Sequence, residues 1–117
     1  MRLLIADSDP SVLRSFEICL SQQTGIELVG LIADGADAVD MCRAKSPDVV
    51  LLDYRLDGAA TTRQIKAHCL DTQVIMLSLF DINPEVRQAI NAGAKGYIAK
   101  ADGMTGIIKN LRSMMEV

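Results

Sequence analysis

Apolar residues fall along this chain in two alternating rhythms. Short β-type runs, Arg2 to Ala6, Glu27 to Ala33, Val49 to Asp53, Val74 to Ser78 and Gly96 to Lys100, are separated by stretches whose apolar positions lie three and four apart. Runs such as Val49-Val50-Leu51-Leu52 show no alternation, as expected of strands covered on both faces. Asp9-Pro10 predicts the start of a first helix, an N-cap followed by proline at the first helical position, with Val12, Leu13, Phe16, Cys19 and Leu20 on one face. Asp34 predicts a second N-cap, with Asp37 three residues on as a variant capping box, an apolar side of Ala38, Val39 and Cys42, and a stop at Pro47. A third, weaker helix is expected from about Thr61 to His68. Asn83-Pro84 opens a fourth, with Val86, Ala89 and Ile90 inward and Gly93 as its stop. Met104, Ile107, Ile108, Leu111, Met114 and Met115 line the fifth. Five strands alternating with five helices predict a three-layer α/β/α sandwich around a parallel sheet. No repeat or linker divides residues 1–117, so one domain is expected.

Composition narrows the function classes. A chain of 117 residues can bury one core but not two. The net charge of −3 supplies no basic field for nucleic acid, and with 2 Tyr, 2 Phe and no Trp there are no stacking platforms for single strands. The longest apolar runs fall far short of the roughly 20 residues that span a bilayer. Asp7 interrupts Met1-Arg2-Leu3-Leu4-Ile5-Ala6 before a signal-peptide core can form, and a cytoplasmic location is expected. Cys19, Cys42 and Cys69 are odd in number, far apart and without a CxxC pair, which predicts free thiols rather than disulfides or a zinc site.

Strands of a parallel sheet end along one edge, where such folds bind ligands. Four of the five runs end there in Asp7, Asp53, Ser78 and Lys100. Singly, each is most simply a turn residue or a solvated charge. Together they describe a site. Two close carboxylates repel unless a cation lies between them, and a hard cation such as Mg²⁺ suits oxygen donors. A carboxylate can accept a phosphoryl group as an aspartyl-phosphate, whose oxygens an ammonium and a hydroxyl would stabilise.

Leu4-Ile5-Ala6-Asp7-Ser8-Asp9-Pro10, Pro47-Asp48-Val49-Val50-Leu51-Leu52-Asp53, Val74-Ile75-Met76-Leu77-Ser78 and Ala92-Gly93-Ala94-Lys95-Gly96-Tyr97-Ile98-Ala99-Lys100 together carry a resemblance. In their order and spacing the chain resembles the receiver domain of bacterial two-component response regulators, the CheY-like group with a flavodoxin-like fold. Its first and last segments are most similar to receivers that precede a LuxR-type helix-turn-helix. The resemblance implies the strand order 2-1-3-4-5. It implies that Asp53 is phosphorylated by a histidine kinase, and that Asp7, Asp53 and the backbone carbonyl of Arg55 hold Mg²⁺, with Ser8 or Asp9 as a further ligand. By the same resemblance Ser78 and Lys100 contact the phosphoryl group, and Tyr97 is the aromatic that moves inward when the Ser78 hydroxyl turns. A homodimer, an output surface on the side of the fourth and fifth helices, and control of transcription through a DNA-binding output domain absent from this chain are also implied. A receiver speeds its own phosphoryl transfer without being a metabolic enzyme.

Several residues depart from the family pattern. Ser8 stands where a second acid is usual, and Asp9 is the natural N-cap of the next helix, so weakened Mg²⁺ binding is expected. Asp57 stands where proline is common, Thr61 where glycine is, and Leu79 where a small residue is usual. The alternative is a degenerate receiver, a phosphorylation-independent interaction or dimerisation module. A nucleotide-binding enzyme is a third reading, disfavoured because Gly25 and Gly30 match no phosphate-loop spacing. Glu85, Arg87 and Gln88 of the fourth helix, and Lys109, Asn110, Arg112 and Ser113 of the fifth, are expected to face outward. The only histidine, His68, is expected to be solvated or half-buried.

Overall fold

Unalternating aliphatic runs become strands because their two faces are covered by helices. The computed structural model describes residues 1–116. Its strands are β1 (Arg2–Ala6), β2 (Glu27–Ile32), β3 (Val49–Asp53), β4 (Gln73–Ser78) and β5 (Gly96–Ala99). They form one parallel sheet in the order β2-β1-β3-β4-β5. Helices α1 (Pro10–Leu20), α2 (Gly35–Lys45), α3 (Gly58–His68), α4 (Pro84–Asn91) and α5 (Gly103–Met115) alternate with the strands. Every residue of the central β3 is buried, whereas β2 at the edge is only half-buried.

The period-two geometry of each strand divides the aliphatic residues between two cores. Leu3, Ile5, Val49, Leu51, Ile75 and Leu77 pack on one face against Phe16 and Leu20 of α1 and Ile107, Ile108 and Leu111 of α5. Leu4, Ala6, Val50, Leu52, Val74 and Met76 pack on the other against α2, α3 and α4. With few aromatics, these layers are almost wholly aliphatic. Burial pushes the Cys42 thiol up to about 12, so it behaves as a small inert hydrophobe.

The caps explain the helix starts. Asp9 accepts the Ser11 N–H, Asp34 the Asp37 N–H and Asn83 the Val86 N–H, with proline following both Asp9 and Asn83. At Asp37 the expected reciprocal box is missing: its carboxyl is held above the usual range by its side-chain hydrogen bond and charge contact with Asp34. The third helix begins three residues earlier than expected. Asp57 takes a left-handed φ of 54°, and the Gly58 N–H bonds the Tyr54 carbonyl, closing a tight turn straight into α3. Along the same edge of the sheet, Lys100 is not part of β5. It opens a single 3-10 turn, Lys100–Asp102, tied down by the Ala101 N–H on the Leu79 carbonyl. Arg112 also departs from expectation, because its guanidinium bonds Gln23 Oε1 and the Thr24 carbonyl instead of facing outward. His68 is exposed.

Among the described residues, no helix is long and apolar enough to cross a membrane.

Candidate functional site

The site lies where β1 and β3 end side by side. Ala6 is registered opposite Leu52, so Asp7 and Asp53 emerge together, and both side chains are fully buried. Lys100 enters from beyond β5, with its Nζ 2.5 Å from Asp7 Oδ2 and 3.6 Å from Asp53 Oδ2. The Asp7 Oδ1 atom accepts the Asp9 N–H at 2.8 Å, and the Ser8 hydroxyl donates to Asp53 Oδ2 across 3.4 Å.

A fourth charged group completes the pocket. The Arg55 backbone N–H donates to Asp53 Oδ1 at 3.1 Å. Its side chain then folds back on the same carboxylate, with Nε 3.2 Å from both oxygens and NH2 2.9 Å from Oδ2. The NH2 group also stands 3.9 Å from Asp7 Oδ1. This planar fork matches a carboxylate far better than an ammonium could.

The surroundings drive the two acids apart. Burial pushes the Asp7 carboxyl above its ordinary value, and the Lys100 and Asp9 hydrogen bonds only partly offset it. Burial acts on Asp53 in the same direction, but hydrogen bonds from Arg55 and the charges of Lys100 and Arg55 outweigh it and leave this carboxyl below its ordinary value. Asp53 is therefore the stronger acid of the two, the one whose ionised form the pocket favours most.

The donor chemistry suits a hard cation. Among the described residues Asp7 Oδ2 is met by Lys100 Nζ alone, so it keeps a lone pair for another partner. Asp7 and Asp53 would hold Mg²⁺ together with the Arg55 carbonyl. The set is nevertheless short of one acid: among the described residues, no three His, Cys, Asp or Glu side chains are placed to share a metal. Ser8 accounts for that, and Asp9 turns away to accept from the Ser11 N–H at 2.9 Å and the Ser11 hydroxyl at 2.8 Å.

Ser78 and Tyr97 belong to a second arrangement. The Ser78 hydroxyl donates to the Asp81 carbonyl at 2.5 Å, so it faces the loop after β4 and not the acids. Tyr97 donates its phenol to Asp81 Oδ1 at 2.7 Å, the oxygen that also accepts the Ile82 N–H. That contact lowers the Asp81 carboxyl and raises the Tyr97 phenol. One loop residue thus engages both. Asp7, Asp53 and Lys100 converge, Ser8 borders them, and Ser78 and Tyr97 wait on Asp81.

Two features of the candidate site escape a reading of the strand ends. Asp81 ends no strand, and Arg55 is singled out only through its backbone carbonyl. The signal that was there is reach: an arginine two residues beyond an acidic strand end can fold back on it.

The family described as response regulator receiver domain matches residues 3–112. The chain is 34% identical over 112 residues to the probable transcriptional regulatory protein NarL of Mycobacterium tuberculosis, covering 93% of this chain and 52% of that protein. It is 32% identical over 117 residues to the response regulator UvrY of Escherichia coli, covering 97% of this chain and 54% of that protein. The chain thus spans about half the length of these curated relatives. The solved signal receiver domain of NarL from Mycobacterium tuberculosis superposes with a TM-score of 0.88 at 32% identity, over 98% of this chain and 95% of that one.

Proposed function

The chain belongs to the response regulator receiver family, and from that premise we propose that it is the phosphoacceptor of a two-component signalling pair, with Asp53 as the acceptor. The observation that carries this reading is the division of labour between the acids: both are buried, but only Asp53 is held below its ordinary range by cations. In the proposed transfer an Asp53 oxygen attacks the phosphorus of a kinase phosphohistidine. The O–P bond forms and the P–N bond breaks. The imidazole nitrogen keeps the electron pair and takes a proton from water. Lys100, between Asp7 and Asp53, is placed to neutralise the incoming oxygens. Bound Mg²⁺ would supply the same neutralisation more strongly, held by Asp7, Asp53 and the Arg55 carbonyl.

The test is incubation with a small-molecule phosphodonor and Mg²⁺, read by intact mass. The wild-type protein is expected to gain one phosphoryl group and Asp53→Asn none. A wild type that gains none overturns the reading in favour of a phosphorylation-independent module.

Transmission is proposed to run through Asp81. For the Ser78 hydroxyl to donate to a phosphoryl oxygen it must leave the Asp81 carbonyl, which loosens the loop that also holds Tyr97. A ring released there can turn inward and change the face of α4, β5 and α5, where Phe80 stands 76% exposed. That face is the proposed dimer or output surface, serving a transcription-regulating domain of the kind that follows LuxR-type receivers. The latch has a direct signature. With Tyr54→Phe leaving Tyr97 as the only tyrosine, ultraviolet titration should place the Tyr97 phenol above the ordinary 10.0. Asp81→Ala should return it toward that value, and an unchanged titration would show that Asp81 does not hold the ring.

A further inference from the structure

The acid pocket is already neutralised by the protein itself. Asp7 and Asp53 contribute two negative charges, and Lys100 and Arg55 contribute two positive ones. The Arg55 fork covers both oxygens of Asp53, the same oxygens that a divalent cation or an incoming phosphorus needs. Its guanidinium also lies between Asp53 and Asp7, at 2.9 Å from the one and 3.9 Å from the other. The side chain is not walled in: 42% of it is exposed, and its guanidinium carbon lies 5.9 Å from the centroid of the Tyr54 ring. It can therefore swing out without unpacking any part of the core.

We propose that Arg55 is a tethered competitor for the divalent cation, so that guanidinium and metal occupy the Asp53 carboxylate in turn and Arg55 sets the apparent metal affinity. This rests on the reading of Asp53 as the acceptor, and it adds a residue whose role lies in the side chain. Ser8 makes the competition effective. With a third acid the pocket would stay negative even with Arg55 bound, whereas with Ser8 the fork brings it to neutrality and leaves a cation little to gain. A site occupied by its own side chain in nine molecules of ten binds its ligand about tenfold more weakly than the open site.

The experiment uses metal alone, so it stands apart from any phosphorylation result. Mg²⁺ is titrated calorimetrically into wild type, Arg55→Met and Arg55→Lys. Arg55→Met is expected to bind about tenfold more tightly than wild type, and Arg55→Lys to fall between, since a lysine keeps the charge but loses the fork. In the wild type, the Arg55 Nε–H resonance, identified by its absence from Arg55→Met, should be protected without metal and should lose that protection as Mg²⁺ saturates. Thermal unfolding of the same proteins should show Arg55→Met less stable than wild type without metal and gaining more from Mg²⁺. Equal or weaker binding in Arg55→Met, no binding in any of the three, or an Nε–H resonance that Mg²⁺ leaves unmoved would each overturn the inference. Phosphoryl uptake by a protein whose Mg²⁺ affinity ignores Arg55 would sink this inference and leave the acceptor role of Asp53 standing.

Discussion

Lys100→Met is expected to destabilise the protein by about 2–3 kcal/mol at pH 7, a deficit that shrinks as the pH is lowered toward 4. Lys100 is the ion-pair partner of the fully buried Asp7, with only 12% of its own side chain exposed. Removing one member of a buried pair typically costs about 3–5 kcal/mol, and Arg55 at 3.9 Å from Asp7 moderates that figure. The pH dependence follows from which acid is stranded. Burial already holds Asp7 above the ordinary 3.8, and without Lys100 it rises further. Between the unfolded and folded values the native state binds more protons than the unfolded state, so stability falls as the pH rises through that window. Below it Asp7 is protonated in both states and the stranded charge is gone. Asp53, held low, has the opposite slope: it contributes stability above the unfolded value and loses it as the pH falls through the folded one. Urea unfolding of wild type and variant at pH 7, 5.5 and 4 checks this. A deficit that does not change with pH would mean that Lys100 contributes packing and not charge. Phosphoryl uptake by the variant should also fall, by about 10²–10³, the usual cost of removing one preorganised group that stabilises developing charge.

Much of this site can be read from sequence because backbone geometry dictates it. Parallel strands end on one edge, and the strand order implied by the family resemblance sets β1 beside β3, so Asp7 and Asp53 meet once Leu3-Leu4-Ile5-Ala6 and Val49-Val50-Leu51-Leu52 are both read as buried strands. The Asp9-Pro10 start was equally legible, since a cap and a proline act within one turn. Legibility declines where side chains choose among rotamers or where the chain turns. Lys100 reaches the acids from a 3-10 turn just past its strand, a boundary no propensity fixes. The early start of α3 depends on Asp57 adopting a left-handed conformation that aspartate permits but does not announce. Ser78 faces Asp81 because a loop carbonyl offers it an acceptor, and Arg55 folds onto Asp53 because an acid and a guanidinium two residues apart share a tight turn. Those are tertiary choices, and they decide whether the pocket stands open or filled.

The same contrast yields the second large effect, at Ser8. Ser8→Asp should leave the protein less stable than wild type without Mg²⁺ and at least as stable with Mg²⁺ in excess. Ser8 lies at the solvent edge of the pocket, with its hydroxyl 3.4 Å from Asp53 Oδ2. A carboxylate there adds a third negative charge to a pocket with two cations, and the uncompensated repulsion is expected to cost about 1–2 kcal/mol. Mg²⁺ reverses the balance, because the added charge and donor should tighten binding by about tenfold or more, and each tenfold is about 1.4 kcal/mol of additional stabilisation once the site saturates. With the third acid the pocket stays negative even under the Arg55 fork, so removing Arg55 should gain less there than it does beside Ser8. Ser8→Asp with Arg55→Met is therefore expected to fall short of the sum of the two single changes in Mg²⁺ affinity. Thermal melts of the four proteins across a Mg²⁺ series provide the measurement. Parallel Mg²⁺ dependences for wild type and Ser8→Asp would show that the missing acid does not limit the metal site, and strict additivity in the double variant would show that Ser8 and Arg55 act on it independently.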